Sequence, residues 1–492
     1  MQIAKLPLSS KFPLLTLAIF LPPELVALIG CGGSMGTMQN QGGMTNVTVL
    51  RTGTANDQLT SFRIEITSLI LTDKAGKSVT LLDDPGAAND SLAGLEFMNL
   101  NGAYSPLVSA AIPQGTYTSA TLLAASCQFA NVSITPAGGL MSSYFSEKRC
   151  SQGTGLATVN LASPLVILGT SEILSLDLQV SQSYTLTTTQ GSGGPTQSYT
   201  ISPVFTLGPL SASTQPSHGL VAGIDVQVAS VNSTGNGFAA TTPKRASLSV
   251  VTNAATVYQG LPTFSSIASG MLANLDAAVQ TDGSLLATRI QVDDPTAIAE
   301  FTGPWTFSDG QPGSFVILPQ GCFHTLDNPV CDSGFQSTNG ATFSVSGEFT
   351  NLQSLPFTAS FTCTSLSLGQ NLSGFSQGAR DSHGVPIVTT ISLRPQTING
   401  TIAAVSTING FSVYTVSLAS YDLIPIVQAA AGPASQDLAN PASVTVYAGA
   451  NTQLSTTALI GVGSLARFRG IIFNDNGVLR MDCQKILDGV PE

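Results

Sequence analysis

Residues 61–71 have the sequence SFRIEITSLIL, in which apolar and polar side chains alternate with a period of two. Phe62, Ile64 and Ile66 would share the buried face of a strand, and the polar residues between them, Glu65 included, would face solvent. The turn DKAGK follows and precedes the apolar sequence VTLL, which indicates a hairpin. Further strand-like segments lie at residues 116–124, 174–180 and 199–207. The sequence therefore predicts an all-β protein.

The composition of the 492 residues limits both the size of the folding units and the choice of partners. A chain of this length exceeds one ordinary core and indicates three or four domains. Charged residues make up 9% and apolar residues 43%, which favours folded modules over disorder. The net charge of −11 argues against a nucleic-acid partner, because such binding depends on Lys and Arg side chains. One Trp and nine Tyr give little support to a sugar-binding cleft of stacked rings.

The N-terminal segment has the layout of an export signal, in which basic residues come first and an apolar run follows. The run ends in LIGC at residues 28–31, which resembles the lipobox of bacterial lipoproteins. That resemblance implies cleavage between Gly30 and Cys31 and attachment of lipid to the Cys31 thiol. A Pro-Pro-Glu sequence interrupts the run, so a transmembrane helix of about 20 apolar residues is not expected. Glu24 departs from the usual apolar segment, and the alternative is an ordinary secretory signal with an incidental cysteine.

A lipid on Cys31 would anchor the protein to a membrane outside the cytoplasm. Two or three acyl chains hold a protein stably, whereas one chain alone binds only marginally. Gly32 follows the cysteine, where an aspartate would resemble the signal for inner-membrane retention, so the outer membrane is expected. Residues 31–45 are rich in glycine and predict a flexible tether between the lipid and the first module.

Residues 45–210 resemble a known family. The alternating stretch, its hairpin, the sequence IPQGTY at residues 112–117 and SPVF at residues 202–205 are similar to the bacterial family called domain of unknown function 4382. Membership implies an envelope β-sandwich with no assigned activity. The Pro-Gln-Gly element has a plain physical role, because Pro fixes φ and Gly permits a positive φ in a turn.

A second pattern repeats in the rest of the chain. One unit opens with GLVA at residues 219–222 and GF at 237–238, and it closes with DGSLLATRI at 282–290. Another opens with NGTIA at residues 399–403 and GF at 410–411, and it closes with NGVL at 476–479. The layout resembles domain of unknown function 5666, a small β-barrel-like module of exported bacterial proteins. The residues between the two units are strand-rich and are interpreted as a diverged copy. Repeats of one small module indicate a stalk or an array.

The expected architecture is therefore an N-terminal β-sandwich followed by two or three small β-barrel-like modules. A Ser- and Pro-containing linker separates the sandwich from the repeats. The predicted boundaries are 1–30 for the lipoprotein signal peptide, 31–45 for the lipidated tether, 46–212 for the sandwich, 218–298 for a small barrel, 299–398 for the β-rich module and 399–492 for a last small barrel.

Seven cysteines leave six after the lipidation site, an even number that suits disulfides in an oxidising compartment. Cys127 and Cys150, which lie in one predicted module, are expected to pair. Cys322 and Cys331, which close a short loop, are also expected to pair. Cys363 and Cys483 either bridge two modules or stay free.

Three patterns that resemble catalytic or metal sites have plainer explanations. GGSMG at residues 32–36 matches a nucleophile elbow, but it lies in the tether and not in a strand-to-helix turn. His324 lies within the short cysteine loop without the four closely spaced ligands of a zinc site, so a disulfide loop is favoured. His218 and His383 lie in polar segments and are expected to be solvated, although a general base at either position stays open.

Acidic clusters are the candidates for calcium, which prefers carboxylate and carbonyl oxygens. None matches the twelve-residue calcium loop, and turn-forming Asp and Asn explain the clusters equally well. The weak candidates are Asp83, Asp84, Asp90, Asp293 and Asp294. Apart from calcium, no cofactor is expected.

Three functions remain open on the sequence alone. The leading hypothesis is a non-enzymatic, membrane-anchored lipoprotein that displays β-modules for adhesion, envelope assembly or ligand binding, with an envelope protein or polysaccharide as partner. The second is a hydrolase of envelope or environmental polymers whose two carboxylates stand about 5–10 Å apart. The third is a calcium-stabilised adhesin. A deep cleft with two converging carboxylates would favour the second function over the first.

Overall fold

The computed structural model describes the chain from residue 43 onward, except for several connecting segments. The signal peptide and almost all of the predicted tether lie outside the described residues. The described ranges are 43–53, 59–83, 95–100, 103–134, 140–191, 194–210, 220–232, 234–242, 247–259, 261–280, 283–292, 299–307, 314–317, 334–345, 354–376, 379–420, 422–431, 438–455 and 460–489.

The first module, the sandwich, is built from thirteen strands, one α-helical turn and a 3-10 turn at Met98–Leu100. These are β1 (Met44–Gly53), β2 (Leu59–Asp73), β3 (Ser78–Asp83), β4 (Leu95–Glu96), β5 (Ser105–Pro113), β6 (Gly115–Ile134), β7 (Leu140–Lys148), β8 (Leu156–Leu161), β9 (Leu165–Ile167), β10 (Ser171–Leu178), α1 (Val180–Ser183), β11 (Tyr184–Gly191), β12 (Gly194–Ile201) and β13 (Val204–Pro209). The main strand order is β3-β2-β6-β8-β13-β10-β1-β5, and β11 and β12 form a separate hairpin.

Strand β8 joins the two halves of this sheet. It pairs antiparallel with β6 on one side and parallel with β13 on the other. Phe62 and Phe129 from the first half share one apolar core with Leu176 and Phe205 from the second half. The two halves therefore enclose a common core, as the predicted sandwich requires.

The disulfide between Cys127 and Cys150 lies in this core and confirms the predicted pairing. Cys127 belongs to β6, and Cys150 lies in the turn after β7. Because both cysteines are buried, the cross-link ties the β6–β7 hairpin into the core.

The fold-deciding stretch lies in β2, and one part of its prediction needs correction. Phe62, Ile64 and Ile66 are fully buried, as expected. Glu65, which the alternation predicts on a solvent face, is buried as well. The Ser126 hydroxyl on the neighbouring strand β6 donates a hydrogen bond to Oε2 of Glu65 at 2.9 Å. This contact supplies part of the polar environment that a buried carboxylate needs, so sheet pairing overrides the simple pattern.

Three barrel-like sheets follow the sandwich and confirm the predicted all-β architecture with small barrels. The first contains β14 (Leu220–Asn232), β15 (Gly237–Thr241), β16 (Ser247–Val251), β17 (Val257–Gln259), β18 (Leu272–Val279) and β19 (Leu285–Val292). The second contains β20 (Ala299–Phe307), β21 (Ser314–Ile317), β22 (Gly334–Val345), β23 (Asn371–Ser376) and β24 (Ile387–Leu393). The third contains β25 (Gln396–Ile408), β26 (Phe411–Leu418), α2 (Leu423–Ala431), β27 (Ser443–Ser455), β28 (Leu465–Asp475) and β29 (Val478–Asp488).

All three barrels share one strand order. The rings run β14-β15-β16-β19-β18, β20-β21-β22-β24-β23 and β25-β26-β27-β29-β28. Each ring contains one parallel pairing, which is β16–β19, β22–β24 or β27–β29. Every other pairing in the rings is antiparallel. This is the topology of the five-stranded Greek-key barrel known as the OB-fold. The short β17 adds a further parallel segment to β19.

Two Asn-Gly turns fix the hairpins of the third barrel. Asn409 and Gly410 join β25 to β26, and Asn476 and Gly477 join β28 to β29. All four residues have positive φ, which Asn and Gly tolerate and which two-residue hairpin turns of this type require. These turns belong to the opening and closing sequences of the repeat.

The modules pack on one another, and Gly42–Glu492 form one compact unit. This arrangement differs from the stalk or array that the repeats predict. Leu50 of the sandwich lies in the core of the first barrel beside Val221. Ile471 and Phe473, on β28 of the third barrel, lie in the core of the second barrel. The outward side of β28 is therefore used to pack the third barrel against the second.

Candidate functional site

Most of the predicted site residues lie outside the described residues. These are Gly30, Cys31, Cys322, Cys331, Asp84, Asp90, Asp293 and Asp294, together with His218 and His324. The described calcium candidate, Asp83, is exposed at the end of β3. Within the described ranges, no group of three His, Cys, Asp or Glu side chains could hold a metal ion. Calcium binding therefore stays a prediction.

His383 lies in an exposed turn just before β24. Oδ1 of Asp381 accepts hydrogen bonds from the backbone N–H groups of Val385 and His383, each at 2.8 Å. The bond from Val385, followed by the contacts with His383, lowers the pKa of the Asp381 carboxyl. These contacts stabilise the turn itself, and the exposure of His383 agrees with the sequence prediction.

The last two cysteines take the second of the two alternatives and stay free. Cys363 is exposed in a turn between β22 and β23, and Cys483 is buried in β29. Burial raises the pKa of the Cys483 thiol, so this cysteine is protected as the unreactive thiol.

The first cluster of buried charges surrounds Asp276 in β18 of the first barrel. Leu275 and Ala277 point into the barrel core, so Asp276 between them points outward, where it is fully buried. Nε of Arg289, directly opposite on β19, donates a hydrogen bond to Oδ2 of Asp276 at 2.6 Å. Nη1 of Arg394, which follows the second barrel, donates to the same oxygen at 3.2 Å.

This cluster is a hydrogen-bonded network that joins non-adjacent segments. Burial opposes ionisation of Asp276, but the guanidinium groups of Arg289 and Arg394 hold the pKa of its carboxyl well below the usual range. The remaining Arg289 nitrogens donate to Oδ1 of Asn274 at 2.6 Å and to Oε1 of Gln291 at 2.8 Å. The ion pair with Arg394 therefore ties the first barrel to the connection between the second and third barrels.

Three modules meet at Tyr104. The residue precedes β5 of the sandwich, and its backbone forms a parallel bridge with Val221 of the first barrel. The Nζ atom of Lys485, on β29 of the third barrel, lies 5.7 Å from the centre of the Tyr104 ring. Burial, and then the nearby Asp177 carboxylate, raises the pKa of the Tyr104 hydroxyl to about 12. The ring therefore stays neutral and offers Lys485 a cation–π contact.

Asp177 and Lys485 form the charged part of this junction. Burial, together with Arg469 and Arg467, lowers the pKa of Lys485 to about 8, while Asp177 opposes the shift. Burial raises the pKa of Asp177 to about 6, although a hydrogen bond from Gln179 and the charges of Arg467 and Lys485 favour its ionised form. Nε2 of Gln179 donates to Oδ2 of Asp177 at 3.1 Å. Between these two pKa values both groups are charged and attract each other.

A lysine with a lowered pKa beside a carboxyl with a raised pKa is also an arrangement that acid–base catalysis uses. Structural ion-pair networks shift pKa values in the same way. Lys485 is 8% exposed and lies between the sandwich and the third barrel, where its charge faces Asp177. The arrangement therefore places opposite charges where the sandwich and the third barrel meet.

Asp422 is a further buried carboxyl, and its role is local. It precedes α2, and Oδ1 accepts a hydrogen bond from the backbone N–H of Ile424 at 3.0 Å, as a helix N-cap does. The N–H of Asn399 donates to Oδ2 at 3.4 Å. Burial raises the pKa of Asp422 to about 7 despite these two bonds.

The junction residues were not among the sequence-predicted sites. Asp276 and Arg394 are separated by 118 positions, and no local pattern connects them. One weak signal is present in the sequence, since Asn274, Asp276, Arg289 and Gln291 are polar residues that alternate with apolar ones along what the structure shows to be β18 and β19. Such a pattern predicts a polar outer face, but it does not predict what covers that face.

Comparisons with known proteins add little to this geometry. No family model matches the chain, and no curated protein matches it, so the resemblances to domains of unknown function 4382 and 5666 stay predictions. Among solved structures, the chain is similar to "drosophila Unr CSD456", with 10% identity over 55% of this chain and 98% of that chain. The TM-score of 0.12 is too low for the similarity to carry an argument.

None of the helices within the described ranges has the length and apolar character that a membrane span needs.

Proposed function

We propose that the protein is an extracytoplasmic lipoprotein, anchored through lipid on Cys31, that holds its β-modules as one binding body for a protein or polysaccharide of the envelope. The observation that carries the proposal is the meeting of three modules at Tyr104. Lys485 of the last module lies over the Tyr104 ring of the first module there, and the charge of Asp177 influences the pKa of both groups, which supports a fixed arrangement and not a flexible string. A fixed arrangement of modules at the end of a tether suits display and binding. The outer membrane is the proposed location.

Lipid attachment is tested by metabolic labelling of cells with a radioactive or clickable fatty acid. The unaltered protein should incorporate label and sediment with membranes, and Cys31→Ser should do neither. Cys363→Ser is the matched control, because Cys363 is an exposed free cysteine whose loss should leave labelling unchanged. Label retained in Cys31→Ser would refute the anchor.

Binding is tested with the chain from residue 32, immobilised and exposed to purified cell-wall and polysaccharide fractions and to purified envelope proteins. We expect one class to be retained, and we expect Lys485→Ala with Arg394→Ala to weaken retention because both changes loosen module junctions. Equal retention by the double variant and the unaltered chain would contradict the role of the fixed arrangement. Retention of no class would contradict the binding function.

A second candidate is a hydrolase that uses carboxylates. Its candidate general acids are Asp177 and Asp482, because burial raises the pKa of each carboxyl to about 6. Under this hypothesis Asp177→Asn should abolish release of reducing sugars from an envelope polysaccharide fraction. Release that continues unchanged in Asp177→Asn and Asp482→Asn would remove the candidate.

A further inference from the structure

An irregular segment of the second barrel lies across the outside of the third barrel. Residues 354–359, which we call the strap, have the sequence SLPFTA and precede β23. Leu355 and Phe357 of the strap share an apolar cluster with Phe411 and Val413 of β26 and with Tyr447 of β27. The described residues from 354 to 370 form no strand, so the strap is held by side-chain contacts and not by a hydrogen-bonded ladder.

The face beneath the strap is defined by strand alternation. Val416 of β26, and Val444 and Val446 of β27, point into the core of the third barrel. Val413 and Tyr447 have the opposite parity and point outward. Strands β26 and β27 are the second and third strands of the barrel, and in OB-folds that face binds oligonucleotides and oligosaccharides. The strap therefore covers a surface suited to ligand binding.

Phe357 is the anchor of the strap. Its ring centre lies 5.1 Å from that of Tyr447 and 5.7 Å from that of Phe473. The Arg480 guanidinium lies 5.6 Å from the Phe357 ring centre, and Nε of Arg480 donates to Oδ2 of Asp475 at 2.6 Å. Two aromatic rings and one oriented guanidinium thus surround a single side chain, as in pockets that recognise an aromatic residue.

The same face contains a polar group that the strap does not satisfy. Asp482 of β29 pairs in register with Tyr447 and with Ile471, which both point outward. Asp482 is two residues from Arg480 on β29, so the two side chains lie on the same face of the strand. Asp482 is 2% exposed, and its Oδ2 atom has no hydrogen-bond partner. A buried carboxyl oxygen without a donor is costly. A ligand that brings an N–H donor to this position would therefore gain a contact that the strap lacks.

We propose that the strap is a built-in pseudo-ligand, and that the surface formed by Val413, Tyr447, Arg480 and Asp482 binds an extended peptide of a partner protein. The present occupant argues for a peptide and against a polysaccharide. Leu355 and Phe357 are two residues apart, so an extended chain can place both on the barrel. The partner peptide would present an aromatic side chain in place of Phe357 and an N–H donor to Asp482. This inference rests on the proposed binding function and names its surface.

The probe is a fluorescent peptide with the sequence of residues 354–360, SLPFTAS, added to the chain from residue 32 and followed by anisotropy. In the unaltered chain the strap occupies the surface and the peptide should bind weakly. Phe357→Ala loosens the strap and should tighten binding at least tenfold. A peptide with alanine at its phenylalanine position should not bind, and Tyr447→Ala added to Phe357→Ala should abolish the gain.

Phe145→Ala is the matched control, because Phe145 is a half-buried aromatic residue of the sandwich that stacks on Phe129. It should leave peptide binding unchanged. If Phe357→Ala does not fold, Phe357→Leu keeps more of the packing and should give a smaller gain in the same direction. A fluorophore on the exposed Cys363, which follows the strap in the same irregular segment, should respond to peptide in Phe357→Ala.

Equal peptide affinity in the unaltered chain and in folded Phe357→Ala would overturn the proposal. So would a Phe357→Ala chain that binds a polysaccharide fraction more tightly but not the peptide. Neither result touches the lipid-labelling test or the retention test, so failure of this inference is distinguishable from failure of the proposed function.

Discussion

Replacement of Asp482 by asparagine should stabilise the protein at neutral pH and not at acidic pH. Burial raises the pKa of Asp482 to about 6 from an ordinary value near 3.8. A carboxyl whose folded pKa exceeds its unfolded value binds more protons in the folded state between those two pH values. Stability therefore falls as pH rises from about 4 to about 6 and stays lower above that window. Asparagine cannot ionise, so Asp482→Asn should escape this loss.

The size of the effect follows from the shift. About two pKa units at about 1.4 kcal/mol each give an upper limit of about 3 kcal/mol for the cost of ionising Asp482 in the folded state. The new amide needs hydrogen-bond partners of its own, which reduces the gain by about 1 kcal/mol. We therefore expect Asp482→Asn to raise the free energy of unfolding by about 1–2 kcal/mol at pH 7.5, from the same two effects. Below pH 4 no gain is expected.

The assay is urea unfolding at several pH values, followed by fluorescence of Trp305. This is the chain's single tryptophan, and it packs in the cluster that also contains Ile471 and Phe473 of the third barrel. Asp381→Asn is the control with the opposite sign, because backbone hydrogen bonds lower the pKa of Asp381 and its charged form is the favoured one. A gain for Asp482→Asn that is independent of pH, or largest at pH 4, would refute the reasoning.

Three further predictions concern the junctions, the disulfide and calcium. Arg394→Met should destabilise the protein by about 2–4 kcal/mol in urea unfolding, since Asp276 would keep only one of its two charged partners, and adding Asp276→Asn should recover part of the loss. Equal effects with and without Asp276→Asn would contradict the pairing. Cys127→Ser with Cys150→Ser should cost about 3 kcal/mol by the loop-closure account, and reduction of the unaltered protein should lower its melting temperature similarly. Chelator should lower the melting temperature if Asp83 and the other acidic clusters hold calcium, and an unchanged melting temperature would remove that hypothesis.

The all-β fold was predictable because its main signal in the sequence, the alternation of apolar and polar residues, is local. The period of two in residues 61–71 depends only on which side chains need burial, and Phe62, Ile64 and Ile66 are buried accordingly. Glu65 was wrongly predicted because its environment is set by Ser126, which the pairing of β2 with β6 brings beside it. The Cys127–Cys150 pair was predictable because both cysteines lie in one module and adjacent hairpin segments.

The strand pairings that close the barrels were harder to predict from the sequence. In the second barrel, the parallel pairing of β22 with β24 joins Phe343 to Ile391 across an intervening strand and two long connections. Such a pairing has no periodic signal in the sequence, because the alternation of apolar and polar residues along a strand does not depend on which strand it pairs with. The repeat was visible in the first and third barrels through their shared turn sequences, and the second barrel lacks a comparable set.

The arrangement of the modules depends on the outward faces of the barrels, and those faces differ while the inward faces agree. In the first barrel, β18 presents Asp276 outward to two arginines. In the equivalent strand of the third barrel, β28, the outward residues Ile471 and Phe473 are apolar and enter the core of the second barrel. The inward positions of both strands are apolar, whereas the outward positions carry a buried charge in one barrel and apolar side chains in the other. The outward side chains thus determine which neighbouring module each strand contacts, and the face beneath the strap is the one that we assign to a partner.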